Sequence, residues 1–256
     1  MRYVSSFYDL CYIISLLCLI DLLTDSITTM NTYSISSPQD IAFTTTGLLT
    51  YVLTDSQLLT MPVEGGATSV LAEQGGVSMV VHPETGMVYI TDSKNHCIVT
   101  CTALGQIMAL AGNCNGTVGN IDGEASVATF DSPFGIVMDP TSIYLYVTCN
   151  GAFTVRRVVV STGHTTTLAG SGVSGKSDGQ GLFAQFFSPT YVYTVGKAIF
   201  VILYVQYFLF IVSCSLLQRS CVVHCWGFDR CGWQKISSGV SFRCGMPHAL
   251  YFLCPS

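Results

Sequence analysis

An internal repeat is the feature that most constrains the fold of this chain. The segment DGEASVATFDSPFGIV at 122–137 matches DGQGLFAQFFSPTYVY at 178–193, with a constant offset of 56 residues. Shorter anchors keep nearly the same period: the triplet TDS at 91–93 corresponds to TCN at 148–150, and LAG at 110–112 to LAG at 168–170. An earlier TDS stands at 54–56. Several pairs of segments that match at nearly the same offset indicate a repeat architecture between about residues 38 and 197.

Each repeat unit carries four strand signals. In the clearest copy they are GIVMD at 135–139, YLYVT at 144–148, TVRRVVV at 154–160 and TTTLA at 165–169, separated by the turn sequences PTS, NGA and STGH. Four antiparallel strands per unit form one blade of a β-propeller, and successive blades pack face to face around an axis. The predicted fold class is therefore all-β. The strand signals amount to about three blades, which predicts an open arc whose unpaired blade edges could support self-association.

The repeat also carries motifs that resemble a known family. Asp92, Asn95, His96 and Ile98 follow an apolar strand, and an Asp-Gly-x-Gly-x-x-Ala-x-Phe loop begins at Asp178. This combination is similar to the NHL-repeat β-propellers, over residues 40–195. The first copy lacks the long Asp-Gly loop, and the third has Cys149 and Phe153 in place of the motif's Asp and His. The residues expected to shape the repeat loops are Asp92, Asn95, His96, Gly112, Asp122, Gly123, Gly170, Gly175, Asp178 and Gly179.

The resemblance implies a non-enzymatic module that binds a protein or a small ligand, with no cofactor and no catalytic or metal-ligating residues assigned. A propeller-type hydrolase or lyase with a metal at the central axis is the alternative. The five histidines show no metal-ligand spacing such as H-x-x-x-H. Residues 1–197 contain six Lys and Arg against fourteen Asp and Glu, so they lack the basic face that nucleic-acid binding requires.

The stretch GSGVSGKS, Gly170–Ser177, fits the pattern of a phosphate-binding loop. Such a loop needs a helix directly after it, whose first amides bind the anion. Here two glycines follow within four residues of Ser177, and each costs about 1 kcal/mol in a helix interior. The other repeat copy keeps the glycines but has Asn120 and Ile121 where Lys176 and Ser177 stand. The glycine pattern is therefore expected to shape a blade loop, and nucleotide binding is a minor alternative.

Both ends of the chain carry apolar segments, which are expected to be helical. Residues 1–30 resemble a signal peptide, and Asn115-Gly116-Thr117 is an N-glycosylation sequon, so we expect an extracellular or membrane location. Ala198–Leu217 contains no charged residue, which predicts a transmembrane helix and membrane association. Alternatives for this segment are a run of strands or translation past an incorrect exon boundary. Residues 218–256 form a cysteine-rich tail without periodicity.

Four of the twelve cysteines lie within the repeats: Cys97, Cys101, Cys114 and Cys149. If Cys97 and Cys101 lie on one extended strand, their Cα atoms are about 13 Å apart, which is too far for a disulfide between them. A bridge between different strands or loops and buried free thiols are equally compatible with these positions. The pair Arg156-Arg157 is expected to point to opposite faces of its strand, at a solvated blade edge.

Overall fold

A computed structural model describes most of the repeat region in full. Backbone and side chains are described for residues 35–44, 47–63, 67–195 and 198–203. The backbone alone is described for the strands at 18–21, 26–29, 210–215, 220–225, 231–236 and 239–244.

Four antiparallel sheets of four strands each follow one another along the chain. The first sheet contains β3 (Pro38–Phe43), β4 (Leu49–Thr54), β5 (Leu58–Pro62) and β6 (Ser69–Ala72). The second contains β7 (Met79–Val81), β8 (Val88–Asp92), β9 (Cys97–Cys101) and β10 (Ile107–Ala111). The third contains β11 (Pro133–Met138), β12 (Tyr144–Cys149), β13 (Thr154–Val159) and β14 (Thr165–Ala169). The fourth contains β15 (Pro189–Val195), β16 (Ala198–Leu203), β17 (Phe210–Ser215) and β18 (Ser220–Cys225), and a single 3₁₀ turn, η1 (Gly181–Phe183), precedes it.

Apolar side chains from neighbouring sheets share one core at each junction. Leu53 of the first sheet packs with Ile90 of the second, and Ile98 of the second packs with Leu145 of the third. Both faces of β8 and β9 are buried, because each sheet is covered by a neighbour on either side. Burial of these strands removes apolar surface from water, which stabilises the folded state by about 25 cal/mol for each Å² of apolar surface buried.

The first strand of each sheet lies on the inside of the arrangement. These strands pack in series, β3 on β7, β7 on β11 and β11 on β15. Burial raises the pKa of Tyr193 on β15, and the negative charge of Asp40 on β3 raises it further. The first and fourth inner strands are therefore within electrostatic range of each other. Four-stranded meanders arranged in this way form a β-propeller, as the repeat predicted.

The prediction of a helix over Ala198–Leu217 is wrong. Ala198–Leu203 and Phe210–Ser215 are β16 and β17, the second and third strands of a fourth blade, in agreement with the alternative of a run of strands. The sheets therefore continue past residue 197 to Cys225. Along β16 buried residues alternate with half-buried ones, so neither face of this strand is fully exposed and an apolar sequence is tolerated on both. Among the described residues, none of the helical segments has the length and apolar character needed to cross a membrane.

The described parts of the two ends are also extended rather than helical. Within 1–30, β1 (Cys18–Asp21) pairs with β2 (Ser26–Thr29), and the other residues of the signal-peptide-like segment lie outside the described residues. Within 218–256, β18 completes the fourth sheet, and β19 (Cys231–Ile236) pairs with β20 (Gly239–Cys244). The rest of the cysteine-rich tail lies outside the described residues.

The four cysteines of the repeats divide between the two expected states. Cys97 at the start of β9 forms a disulfide with Cys114 in the loop after β10, with a Cα–Cα distance of 5.1 Å. Cys101 and Cys149 are buried free thiols. Burial raises the pKa of the Cys149 thiol to about 12, so this side chain is neutral at physiological pH.

Candidate functional site

A cleft of about 430 Å³ lies between the first two sheets, at the ends of their second strands. Four chain segments form its walls: the start of β3, the β4–β5 turn, the β6–β7 connection and the β8–β9 turn. Its lining residues are Gln39, Asp55, Ser56, Glu73, Gln74, Gly75, Gly76, Val77, Asp92, Ser93, Lys94 and Asn95. The volume falls in the range of small-molecule sites in proteins, which is about 300–1,000 Å³.

Gly75 allows the β6–β7 connection to lie directly against the β4–β5 turn. A Cβ atom at this position would lie 2.3 Å from the backbone carbonyl carbon of Asp55. Any side chain would therefore push the two walls of the cleft apart. The pair Gly75-Gly76 is a local requirement of this cleft, and its role was not predicted from the sequence.

Asp92 builds the β8–β9 turn and is not available to a ligand. Its Oδ1 accepts hydrogen bonds from the backbone amides of Lys94 (3.1 Å) and Asn95 (3.0 Å). Its Oδ2 accepts from Asn95 Nδ2 (2.8 Å) and from Gln74 Nε2 (3.0 Å). The residue is only 5% exposed. Asp92 and Asn95 thus hold the wall of the cleft in place, as the Asp-x-x-Asn spacing allows.

The solvent-facing carboxylates of the cleft are those of Asp55 and Glu73. Glu73 Oε2 accepts a hydrogen bond from Gln57 Nε2 at 2.9 Å, and no donor in the described part of the chain contacts its other oxygen. Among the described residues, no donor contacts the carboxylate of Asp55. Lys94 Nζ donates to the backbone carbonyl of Asp55 at 2.9 Å. Three carboxylates and one ammonium line the cleft, so its electrostatic potential favours a positively charged group.

His96 joins the second sheet to the third rather than facing the cleft. Its Nδ1 accepts a hydrogen bond from the backbone amide of Ser132 at 3.0 Å, so the neutral ring carries its proton on Nε2. The backbone of His96 is left-handed, with φ of 55°. Phe153, its counterpart in the next repeat, keeps this conformation, with φ of 53°, although it cannot make the bond.

Asp122 and Gly123 belong to the long loop between the second and third sheets. Asp122 Oδ1 accepts from Arg156 Nη2 (2.8 Å) and from Thr167 Oγ1 (2.8 Å), and Oδ2 accepts from the Thr167 amide (2.9 Å). Gly123 exchanges two backbone hydrogen bonds with Thr165, at 3.0 Å and 2.8 Å. This part of the loop is fastened to the third sheet, and neither Asp122 nor Gly123 lines the cleft.

Arg156 is fully buried, so the expectation of a solvated blade edge is wrong for this residue. Its guanidinium also donates to Asn120 Oδ1 and to the carbonyls of Ile121 and Thr129, at 2.8–2.9 Å. The ring of Phe130 lies below it, with 5.1 Å between Cζ and the ring centroid. The sequence gives a signal for a buried cation, because the loop at 112–132 has three acidic residues and no basic one. The residue that supplies the positive charge does not follow from sequence spacing.

The segment Gly170–Ser177 does not form a phosphate-binding loop in the structure. Among the described residues no α-helix follows it, and η1 is only three residues long. The amides of Gly170, Ser171 and Gly175 donate to the carbonyls of Gly181, Ala184 and Phe186, at 2.8–3.1 Å. Donors that a phosphate would require are therefore already used inside the blade loop.

The remaining predicted loop residues lie in the same region or in its repeat copy. A Cβ atom at Gly175 would lie 2.2 Å from Gln185 Oε1, and one at Gly179 would lie 2.6 Å from the backbone carbon of Phe183. Asp178 is exposed. Gly112 has φ of 85° and donates its amide to the carbonyl of Ala125 at 2.8 Å. The structure therefore places only Asp92 and Asn95 of the predicted set at the cleft.

Asn115 occupies an exposed loop that the Cys97–Cys114 disulfide anchors. Its Oδ1 accepts from the amide (3.0 Å) and the hydroxyl (2.7 Å) of Thr117. Within the described residues, no three His, Cys, Asp or Glu side chains are grouped so that they could hold a metal ion.

Solved β-propeller structures resemble this fold. A chain of a nidogen/laminin complex aligns with a TM-score of 0.62 and 16% identity, over 83% of this chain and 72% of that one. An auxiliary nutrient-binding protein from Bacteroides ovatus aligns with a TM-score of 0.63 and 17% identity, over 82% of this chain and 51% of that one. Streptogramin B lyase aligns with a TM-score of 0.55 and 10% identity, over 90% of this chain and 67% of that one.

These similarities confirm the propeller fold, and at such low identity they show the fold alone. The chain spans about half to three quarters of the length of these solved chains. No protein-family model and no curated protein sequence matches it.

Proposed function

We propose that this chain is a non-enzymatic binding module of NHL-repeat type, and that the cleft between its first two sheets is the ligand site. The observation that carries the proposal is an open cleft of about 430 Å³ in which the carboxylates of Asp55 and Glu73 face solvent. The four hydrogen bonds that Asp92 accepts hold the walls of the cleft in place before a ligand binds. A preorganised site lowers the entropy cost of binding.

The ligand class follows from the charges and amides of the cleft. Asp55 and Glu73 accept hydrogen bonds and attract a cationic group such as an ammonium or a guanidinium. Lys94 sits on the opposite wall, with its Nζ held by the carbonyl of Asp55. We therefore expect a small molecule or a protein side chain with one positive charge, contacted at its neutral portion by Ser56 and Asn95.

The resemblance to nutrient-binding and partner-binding propellers supports a binding role without specifying the ligand. The alternative of a metal-dependent hydrolase or lyase has no group of metal-binding side chains in the described part of the chain to support it.

A pair of capped tripeptides, acetyl-Gly-Arg-Gly-amide and acetyl-Gly-Glu-Gly-amide, tests the proposal by calorimetric titration of the full chain. We expect the arginine peptide to bind and the glutamate peptide not to bind. Asp55→Asn and Glu73→Gln should each weaken binding by about five-fold, because an exposed ion pair contributes up to about 1 kcal/mol. Added salt should weaken binding as well, since it screens exposed charges.

Glu84→Gln is the matched control, because Glu84 is exposed and lies outside the cleft. It should leave the affinity unchanged. Equal binding of the two peptides, no binding of the arginine peptide, or an effect of Glu84→Gln equal to that of Asp55→Asn would contradict the proposed ligand class.

A further inference from the structure

The loop after β10 presents Asn115 in a conformation suited to covalent modification. Asn115, Gly116 and Thr117 are all exposed. No atom lies within 4 Å of the Cβ position at Gly116, whose φ is 81°, so the middle of the loop is open. In the described part of the chain, no acceptor contacts Asn115 Nδ2.

The contacts of Asn115 Oδ1 leave its nitrogen as the reactive end of the amide. Both hydrogen bonds from Thr117, from its amide at 3.0 Å and from its hydroxyl at 2.7 Å, go to Oδ1. They hold Oδ1 against Thr117, whereas Nδ2 has no hydrogen-bond acceptor among the described residues. An N-glycosylation sequon requires the hydroxyl residue at this spacing, and here that hydroxyl contacts the amide directly.

We propose that Asn115 carries an N-linked glycan. In the transfer step, Nδ2 forms a bond to the anomeric carbon of a lipid-linked oligosaccharide. The bond between that carbon and the pyrophosphate oxygen breaks, and the lipid pyrophosphate leaves with the electron pair. One amide proton passes to a base of the transferase. No oxidant or reductant is involved.

A second observation supports the same maturation route. The Cys97–Cys114 disulfide lies next to Asn115 and joins two cysteines that are 17 positions apart in the sequence. Disulfides of this kind form and persist in oxidising compartments, which are also where N-linked glycans are added. The proposal places the repeat region on the extracytoplasmic side, in agreement with the signal-peptide-like segment.

The glycan would stand beside the candidate ligand site without filling it. The amide of Gly116 donates to the carbonyl of Asn95 at 3.3 Å, and Asn95 lines the cleft. The side chain of Asn115 itself does not line the cleft. The modification is therefore independent of the proposed ligand, and either can fail without the other.

Expression of the full chain in mammalian cells, followed by treatment with peptide N-glycosidase F, tests the proposal. We expect the enzyme to lower the apparent mass of the wild type in one discrete step and to leave aspartate at position 115, identified by peptide mass spectrometry. The sequence contains one Asn-x-Ser/Thr site, so a single decrease in mass can be assigned to Asn115. Asn115→Gln and Thr117→Ala should abolish the whole shift.

Two conservative variants separate the modification from folding. Thr117→Ser keeps the hydroxyl and should retain the shift. Asn113→Gln changes an exposed asparagine of the same loop outside the sequon, and it should also retain the shift. A wild type with no shift, or a shift that survives in Asn115→Gln, would overturn the proposal.

Discussion

Arg156 and Arg157 are adjacent in sequence but have opposite environments. Arg156 is fully buried between the Asp122 loop and Phe130, whereas Arg157 is partly exposed over the ring of Tyr144. Removing a buried charge leaves its partners unsatisfied and typically costs about 3–5 kcal/mol. Since Asp122 is 46% exposed, we expect the lower end of that range for Arg156→Met. Denaturant-induced unfolding of the full chain measures the loss.

Arg157→Met is the matched control for this prediction. It removes the same kind of side chain from the next position of β13, where a cation–π contact contributes about 0.5–1 kcal/mol. Equal destabilisation by the two variants would show that the buried network around Arg156 does not anchor the loop.

The residue scale also shows what the sequence could predict. Asp92 and Asn95, which the NHL-like motif expects to shape a repeat loop, lie in one turn, and the hydrogen bonds between them are local in sequence. The cleft carboxylates Asp55 and Glu73 were not identified, since they come together through the pairing of β5 with β6 inside the first sheet, and the wall opposite them is supplied by the second sheet. Arg156 was missed for a related reason: alternation along a strand separates two faces but does not say which face a distant loop will cover.

At the scale of elements, one threonine in each of two sheets fastens that sheet to the next. Thr91 Oγ1 accepts from the amide of Ser78 at 3.0 Å and donates to the carbonyl of Phe134 on β11 at 2.6 Å. Thr148, its repeat counterpart, accepts from Gly135 and donates to the carbonyl of Thr190 on β15. Both threonines are fully buried. The hydroxyl thus links the second strand of one blade to the first strand of the next.

Thr91→Val keeps the shape of the side chain and removes these hydrogen bonds. We expect the free energy of unfolding to fall by about 1–3 kcal/mol, because buried partners at Ser78 and Phe134 lose a bond. Thr162→Val changes an exposed threonine in the β13–β14 turn and should have an effect of about 0.5 kcal/mol or less. A Thr91→Val protein as stable as Thr162→Val would show that the blades do not depend on this link.

The segment Ala198–Leu217 shows how an element can be misinterpreted from composition. Twenty residues without a charge satisfy the criterion for a membrane helix, but an apolar strand such as β16, which has no exposed residue on either face, contributes to the same composition. The β-branched and aromatic residues of β16 favour the extended form. The NHL-like motifs do not recur after residue 197, so the repeat could not correct the error.

At the scale of the whole molecule, four blades are formed instead of the three that the strand signals indicated. The repeat predicted the architecture correctly, because its copies contain the same four strands, and the Asp-Gly loop recurs at Asp122 and Asp178. The blade number was underestimated because the last copy is formed by strands without the family's motifs. Two expectations stay predictions: that the blades form an open arc, and that copies of the chain associate through unpaired blade edges.

The junction of the first two inner strands makes the stability of the whole arrangement dependent on pH. Asp40 accepts hydrogen bonds from Ile41 N, Ser78 Oγ and Met79 N, each at 2.8 Å, and so joins β3 to the second sheet. Burial raises the pKa of Asp40 above its ordinary value of 3.8, more than these hydrogen bonds lower it. The folded state therefore binds this proton more tightly than the unfolded chain. The stability that this group contributes is complete below pH 3.8 and is lost as the pH rises through the folded-state pKa.

Asp40→Asn removes this titration, so its effect on the free energy of unfolding should itself depend on pH. The stability of the wild type minus that of Asp40→Asn should be larger at pH 4 than at pH 7, as measured by urea unfolding at both values. Glu84→Gln serves as the reference, because an exposed carboxyl outside the sheet junctions should give a nearly constant difference. A difference for Asp40→Asn that grows toward pH 7 would mean that the hydrogen bonds outweigh burial. The inner junction would then be strengthened by the ionised carboxylate rather than weakened by it.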